Sequence, residues 1–373
     1  MKKNTLFIFG TRPEAIKLAP LIKEFEKFPH KFNIYVCSTG QHKEMLNQVL
    51  DFFKIKPHYN LNVMTDNQSL YDLTSILIKK IEYVIEDSNP DIIFVQGDTT
   101  TAFVGALAGF YNKRIVAHVE AGLRSYKKYS PFPEEINRVL ISRLADIHFA
   151  PTERAKNNLN EEGIHKNIWV VGNTVIDALL LGLQLIKTEN NEEYYNYFKF
   201  IDFSKKIILV TGHRRESFGK PFENICFALK EIANCFKDVE IVYPVHLNPN
   251  VRTPVNRILG DHERIHLIDP LDYPKLIWLM YKSYIILTDS GGIQEEAPSL
   301  GKPVLVMRDV TERIEGIEAG TAKLVGTSKD KIVEEVSRLI TDKEEYNKMA
   351  KAGNPYGDGK TSRRIVNIIN EIF

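Results

Sequence analysis

Short apolar runs without polar alternation recur along the first half of this chain. They cover residues 6–9, 34–37, 92–95, 115–119, 147–150 and 168–171. Runs of this kind are typical of parallel strands that are buried on both faces. Amphipathic helical patterns lie between them, for example at residues 14–22 and 75–81. The alternation predicts βαβ units and an α/β fold.

A second series of apolar runs covers residues 207–210, 241–243, 265–268, 285–287 and 304–306. A polar stretch around residues 188–199, rich in Tyr and Asn, separates the two series. The 373 residues also exceed the usual length of one domain. We therefore predict two Rossmann-like, doubly wound domains that face a cleft. The first spans 1–172, a connecting helix and linker span 173–203, and the second spans 204–359, with a C-terminal helix at 360–373 packed back on the first domain.

Composition excludes several classes of protein. With 49 Lys and Arg against 48 Asp and Glu, the formal charge of +1 does not favour a nucleic-acid partner. Three scattered cysteines without a CxxC motif predict neither a disulfide framework nor a zinc site. The N-terminal apolar run is too short for a signal peptide, and no run is long enough to span a membrane. We expect a soluble, cytoplasmic protein that binds no metal.

The segment 289–296 follows an apolar run and leads into a helical pattern. Gly291 and Gly292 let the backbone approach an anion closely, at a helix N-terminus that favours negative charge. Ser290 adds a hydroxyl group, and Glu296 lies one turn into the helix, where a carboxylate can accept bonds from a ribose. The segment favours a nucleotide. Gly-Gly alone is also compatible with an ordinary turn.

Charged side chains follow other predicted strands, at the edge where parallel sheets bind ligands. Arg12 and Lys17 come after the first strand, where two cations suit a diphosphate, although each alone could be an ordinary surface side chain. Asp98 and Glu120 end two strands that we expect to be neighbours. Asp98 could instead cap the next helix, and Glu120 could pair with Arg124.

Glu134 lies at a predicted helix start, where a solvated carboxylate is common, and His213 follows the first strand of the second series. The chain has no GxGxxG sequence after its first strand, which argues against a tightly bound nicotinamide, and no Walker A, HExxH or GxSxG motif. We expect no cofactor. Carboxylates near phosphate-binding groups then indicate acid–base chemistry, because phosphoryl transfer would need a metal motif.

Eight sequence blocks together resemble the bacterial non-hydrolysing UDP-N-acetylglucosamine 2-epimerases over the whole chain. They are residues 10–17, 97–101, 118–124, 133–138, 172–177, 212–216, 289–296 and 354–359. The resemblance implies the glycosyltransferase-B architecture, a second domain that binds UDP, and a homodimer. It also implies the reversible conversion of UDP-N-acetylglucosamine to UDP-N-acetylmannosamine, through elimination of UDP to 2-acetamidoglucal and its re-addition. The product would supply a surface polysaccharide.

The same resemblance implies roles for individual residues. The acid–base carboxylates would be Asp98, Glu120 and Glu134, and His213 would contact the substrate near the leaving diphosphate. Glu296 would bind the ribose, and Gln41 would belong to an activator site for a second substrate molecule. Phosphate would be held by Arg12, Lys17, Ser290, Gly291, Gly292 and Arg313.

Three alternatives remain open on the sequence. A hydrolysing epimerase would release UDP and free N-acetylmannosamine. A glycosyltransferase of the same architecture would need an open acceptor site, and a nonenzymatic nucleotide-sugar sensor would need no catalytic group; both would leave the three carboxylates without a role.

Overall fold

The structure is a computed structural model that describes residues 2–40, 43–65, 67–189 and 191–373. The described residues divide into two compact units, Met1–Leu181 with Tyr356–Phe373, and Gly182–Pro355. The chain thus passes from the first unit to the second within one helix, and it returns to the first unit just before the last helix. The domain limits predicted at residues 172, 203 and 359 stay a prediction.

The first unit contains a parallel sheet with the strand order β3-β2-β1-β4-β5-β6-β7. Its strands are β1 (Lys3–Phe9), β2 (Phe32–Ser38), β3 (Tyr59–Asn60), β4 (Ile92–Gln96), β5 (Ile115–Val119), β6 (Ile147–Ala150) and β7 (Ile168–Val170). The helices in this part of the chain are α1 (Arg12–Phe25), α2 (Lys43–Phe52), α3 (Leu70–Ser88), α4 (Thr100–Tyr111), α5 (Glu134–Leu144), α6 (Glu153–Glu161) and α7 (Thr174–Glu189).

The second unit contains a parallel sheet with the order β10-β9-β8-β11-β12-β13. Its strands are β8 (Lys206–Thr211), β9 (Val239–Pro244), β10 (Ile265–Ile268), β11 (Ile285–Thr288), β12 (Val304–Val306) and β13 (Ala322–Leu324). Its helices are α8 (Asn191–Tyr197), α9 (Lys220–Cys235), α10 (Pro249–Leu259), α11 (Tyr273–Lys282), α12 (Gly291–Glu296), α13 (Ile314–Glu318), α14 (Lys329–Thr341) and α15 (Lys343–Ala350), with short 3₁₀ turns at Arg215–Ser217 and Ala297–Leu300.

The last helix, α16 (Thr361–Ile372), returns to the first unit and contacts α1. Its apolar face, with Ile365, Val366 and Ile369, is fully buried. Asp177 of α7 accepts hydrogen bonds from the backbone N–H groups of Thr361 at 3.2 Å and Ser362 at 2.7 Å. A carboxylate thus satisfies N–H groups of the first turn of α16 that have no partner within the helix.

Both sheets have the order of a doubly wound fold. In the first sheet the chain moves outward from β1 to β3 and then resumes on the other side at β4, and the second sheet reverses in the same way between β8 and β11. Since parallel crossovers are right-handed, this reversal places helices on both faces. The predicted α/β class with two Rossmann-like units is confirmed. It is the architecture of the glycosyltransferase-B type.

The central apolar runs become strands that are buried on both sides, whereas β7 and β10, formed by the runs at 168–171 and 265–268, are only partly buried. Every residue of β4 is buried, and residues 5–9 of β1 are buried as well. Under the first sheet Phe7 stacks on Phe94 at 4.9 Å between ring centroids, and Phe25 of α1 meets both rings edge-on. Among the residues that the structure describes, none of the helices combines the length and the apolar character that a bilayer crossing requires.

Candidate active site

Three predicted site residues of the first unit follow three neighbouring strands. Arg12 comes after β1, Asp98 after β4 and Glu120 after β5, and these strands lie side by side. The strands that Asp98 and Glu120 end are neighbours, as predicted, because β4 and β5 pair in register up to Gln96 and Val119. This edge is the reversal point of the sheet, where open α/β sheets bind their ligands.

Lys17 and two side-chain amides contact the Glu120 carboxylate. Lys17 Nζ lies 2.7 Å from Oε1 and 2.6 Å from Oε2, and Asn173 Nδ2 donates to Oε1 at 3.1 Å. Gln96 Nε2 donates to Oε2. Glu120 is 7% exposed and has a positive φ of 67°, which is uncommon outside glycine and marks a constrained backbone. The fold therefore fixes this carboxylate in one orientation.

The alternative that Glu120 pairs with Arg124 is wrong. Arg124, whose side chain is fully buried, binds Glu162 instead, with Nε at 2.6 Å from Oε1 and Nη2 at 2.8 Å from Oε2. A bidentate pair of this kind is strong and geometrically specific. Arg124 is therefore a structural residue, and Glu120 keeps Lys17 as its cation.

The Asp98 side chain binds Arg138 of α5, whose Nε donates to Oδ2 at 2.7 Å. The Asp98 carbonyl accepts from Asn137 Nδ2 at 2.9 Å. The alternative that Asp98 caps the next helix is wrong, because Thr99 is the N-cap of α4 and accepts from the Ala102 N–H at 3.0 Å. Asp98 is thus a partly exposed carboxylate that α5 orients.

Glu134 and Glu135 are adjacent but have different surroundings. Glu135 is buried and accepts hydrogen bonds from the Ser125 and Tyr126 N–H groups at 2.9 and 2.8 Å and from Arg138 Nη1 at 2.9 Å. Burial opposes ionisation, but these donors together lower the pKa of Glu135 below its usual value. In the part of the chain that the structure describes, no group donates a hydrogen bond to the Glu134 carboxylate. Glu135 has a structural role, whereas neither oxygen of Glu134 has a donor among the described residues.

A buried carboxylate that the sequence did not single out organises the turn that carries Arg12. Glu14 accepts from the N–H groups of Gly10 at 3.0 Å and Thr11 at 2.7 Å, and from Thr99 Oγ1 at 2.7 Å. Burial raises the pKa of Glu14, and these hydrogen bonds oppose the rise. Within the described residues the Arg12 guanidinium has no hydrogen bond or ion pair of its own. Arg12 therefore lies on a fixed turn with its donors unused.

The neutral His118 fixes the turn before Asp98. Its Nε2 donates to the Gly97 carbonyl at 2.7 Å, and Gly97 has a φ of +71°. Burial lowers the pKa of His118 to about 3, so the ring is uncharged at neutral pH and Nε2 carries the proton in this contact. The histidine supports the site and adds no charge to it.

The predicted residues of the second unit also meet at a reversal point. His213 follows β8 and Ser290 follows β11, and these two strands are paired. Asp289 Oδ2 accepts from the N–H groups of His213 at 2.6 Å and Arg214 at 2.7 Å. The His213 ring stacks on His246 at 5.3 Å. Burial, His246 and Arg214 lower the pKa of His213, whereas Asp289 acts in the opposite direction.

Gly291 leaves room for Arg313, which lies against it. A Cβ atom at residue 291 would lie 3.1 Å from Arg313 Cζ, which is closer than most real contacts. Arg313 Nε donates to Glu295 Oε1 at 2.8 Å. The guanidinium is thus placed beside the first residue of α12, next to the Ser290 N-cap.

Glu296 is 6% exposed and accepts a hydrogen bond from the Tyr273 hydroxyl at 2.9 Å. Its Oε2 would lie 3.8 Å from a Cβ atom built on Gly292. The carboxylate is therefore next to the glycine turn, as the predicted ribose contact requires. The predicted activator residue Gln41 lies outside the described residues.

The set of residues in each unit has its own chemistry. The first unit supplies oriented carboxylates with cations beside them, which suits proton transfer. The second unit supplies glycine backbone, a hydroxyl group and an arginine, which suit an anion. No group of three or more His, Cys, Asp or Glu side chains in the described ranges could hold a metal ion.

Known proteins resemble this chain over its whole length. The profile of the UDP-N-acetylglucosamine 2-epimerase family matches residues 23–370. A UDP-N-acetylglucosamine 2-epimerase from Campylobacter jejuni is 54% identical over 376 residues, covering 99% of this chain and 98% of the relative.

Two solved structures are similar as well. The Neisseria meningitidis UDP-GlcNAc 2-epimerase bound to UDP-GlcNAc is 50% identical, covers 100% of both chains and has a TM-score of 0.89. A Staphylococcus aureus protein in a co-structure with UDP is 50% identical, with 99% of this chain and 96% of that chain covered and a TM-score of 0.85. The chain therefore belongs to the UDP-N-acetylglucosamine 2-epimerase family and is an enzyme, an isomerase.

Proposed function

We propose that this enzyme interconverts UDP-N-acetylglucosamine and UDP-N-acetylmannosamine without releasing free sugar. The observation that carries the proposal is the set of three carboxylates Asp98, Glu120 and Glu134. Asp98 and Glu120 follow neighbouring strands. Glu134 begins α5, the helix whose Arg138 binds Asp98. The Neisseria meningitidis relative bound to UDP-GlcNAc supports the choice of substrate.

The chemistry explains why several carboxylates are needed. The C2 hydrogen of the sugar has no adjacent carbonyl group, so a simple carbanion at C2 is not accessible. When the C2–H bond breaks, its electron pair forms the C1–C2 double bond, the C1–O bond breaks towards UDP, and the proton passes to a carboxylate. UDP then adds back to 2-acetamidoglucal while a proton arrives on the opposite face. Because the proton leaves one face of the sugar at C2 and returns to the other, proton-transferring groups are needed on both sides of the ring.

The first unit would supply these proton transfers. Asp98 and Glu120 are each paired with a cation, Arg138 and Lys17, which compensates their charge and fixes their oxygens. Glu134 has no such partner within the described residues and can change protonation without breaking an ion pair.

The second unit would hold UDP. In this proposal Ser290, Gly291, Gly292 and Arg313 bind the diphosphate, Glu296 binds the ribose, and His213 contacts the leaving diphosphate. Arg12 has unused donors and would add a phosphate contact. Lys17 would serve both the diphosphate and Glu120. We further propose, by family resemblance, a cytoplasmic homodimer, an activator site that includes Gln41, and a product used for surface polysaccharide.

A product analysis tests the proposal. Purified enzyme incubated with UDP-N-acetylglucosamine should give UDP-N-acetylmannosamine with no lasting free UDP or free sugar. Stoichiometric UDP and N-acetylmannosamine would identify a hydrolysing epimerase instead. Glu134→Gln should abolish turnover. Glu135→Gln, at the neighbouring residue, is the matched control and should mainly lower the stability of the protein.

A further inference from the structure

The Asp289 carboxylate is buried with only one of its oxygens satisfied. The residue is 2% exposed, and Oδ2 accepts the two backbone N–H groups of His213 and Arg214. Oδ1 is also buried and accepts no hydrogen bond from any residue that the structure describes. An unsatisfied oxygen on a buried carboxylate is costly, so it indicates a use that the resting contacts do not provide.

The group that faces this oxygen is the His213 ring. Nδ1 of His213 lies 3.5 Å from Asp289 Oδ1, slightly longer than a formed hydrogen bond. The separation is set by rigid elements, because β8 and β11 pair in register up to Thr211 and Thr288. His246, just after β9, stacks on the ring with an interplanar angle of 13° and restricts its rotation.

We propose that Asp289 is a positioning residue for His213. It accepts a hydrogen bond from Nδ1–H, which fixes the ring orientation, and its charge favours the imidazolium that donates from Nε2 to the departing diphosphate. The proposal rests on the proposed function, because it assigns His213 to the leaving group. A donor that is held in one orientation, and whose cationic form the Asp289 charge favours, stabilises the negative charge that develops when the C1–O bond breaks.

The surroundings of His213 in the second unit lower its pKa overall, although the individual contributions oppose one another. Burial, His246 and Arg214 disfavour the imidazolium, and Asp289 favours it. Removing the Asp289 charge should therefore move the His213 titration to lower pH. Removing the His246 imidazole should move it to higher pH.

Asp289→Asn is the direct test, because it keeps an oxygen for the two backbone N–H groups and places an amide opposite Nδ1. The ¹⁵N shifts of His213, assigned by the resonances lost in His213→Gln, report which nitrogen carries the proton. In the wild-type protein the neutral ring should be protonated on Nδ1. In Asp289→Asn it should be protonated on Nε2, and its titration midpoint should fall.

Turnover should change with the tautomer. Loss of an oxyanion donor reduces kcat by about 10² to 10³. In Asp289→Asn the His213 donor stays but loses its charge, so kcat should fall less, by about 10- to 100-fold, with little change in KM. His246→Phe, which keeps an aromatic stack, should raise the His213 midpoint. A wild-type ring protonated on Nε2 would overturn the proposal, as would an Asp289→Asn protein with an unchanged midpoint and kcat.

The two proposals fail in different ways. A wild-type enzyme that forms no UDP-N-acetylmannosamine would contradict the proposed function. The ¹⁵N shifts of His213 in the wild-type protein would still show whether Asp289 holds the ring. This measurement does not depend on whether Asp289→Asn folds.

Discussion

Replacing Lys17 with Met should destabilise the protein more than any exposed lysine change would. The replacement keeps the apolar stem and removes the ammonium group that lies 2.6 Å from Glu120. The two side chains are only 17% and 5% exposed, so the carboxylate would lose its cation while staying buried. Removing one partner of a buried pair typically costs about 3 to 5 kcal/mol. Because Gln96 and Asn173 continue to donate to Glu120, we expect a cost just below that range, about 2 to 3 kcal/mol.

Urea unfolding at neutral pH, followed by circular dichroism, measures this free energy. Lys79→Met is the matched control in the same unit, because the Lys79–Glu82 pair is 80% and 51% exposed and 3.4 Å apart. It should cost less than about 1 kcal/mol. The double variant Lys17→Met/Glu120→Gln should be more stable than Lys17→Met alone, since the buried side chain that has lost the Lys17 ammonium is then neutral. A Lys17→Met protein within about 1 kcal/mol of Lys79→Met would refute the reasoning.

Three further predictions concern binding and stability. Arg12→Ala should weaken UDP binding by about 1.5 to 3 kcal/mol, the scale of a charged hydrogen bond, and an unchanged affinity by calorimetry would remove Arg12 from the site. Glu135→Gln should lower stability at pH 7, and because the pKa of Glu135 is depressed, the deficit should shrink as the pH falls below 4.5; a deficit that is constant with pH would contradict this. Gly122→Ala should cost about 1 to 3 kcal/mol more than Gly163→Ala in thermal melts. Both glycines have positive φ, but only at Gly122 would a Cβ meet backbone, 2.1 Å from Ala155 O; equal costs would argue against the clash.

The strands were predictable where apolar runs are long and buried on both faces. The strand β3 was missed because it holds only two residues, and β13 was missed because Lys323 interrupts its three-residue sequence. Each is an edge strand, completed by pairing with one neighbour. A run that short is not distinguishable from a loop without its partner strand.

The site followed from one rule of parallel sheets, that ligands bind beyond the carboxyl ends of strands. The rule led to Asp98 and Glu120 but could not give their partners. Lys17 reaches Glu120 across 103 positions of sequence, and Arg138 reaches Asp98 across 40. Such contacts depend on strand order, which local patterns do not contain. For the same reason the sequence allowed a pair between Glu120 and Arg124 that the fold does not form.

The most direct test of the account is the fate of the C2 hydrogen. If a carboxylate that exchanges protons with solvent takes the C2 proton and another returns one, UDP-N-acetylmannosamine formed in heavy water should carry deuterium at C2. In Asp98→Asn and Glu120→Gln, turnover should fall by about 10² to 10⁴ while UDP still binds. Product that retains the original hydrogen at C2, or full epimerase activity in both variants, would contradict the elimination mechanism.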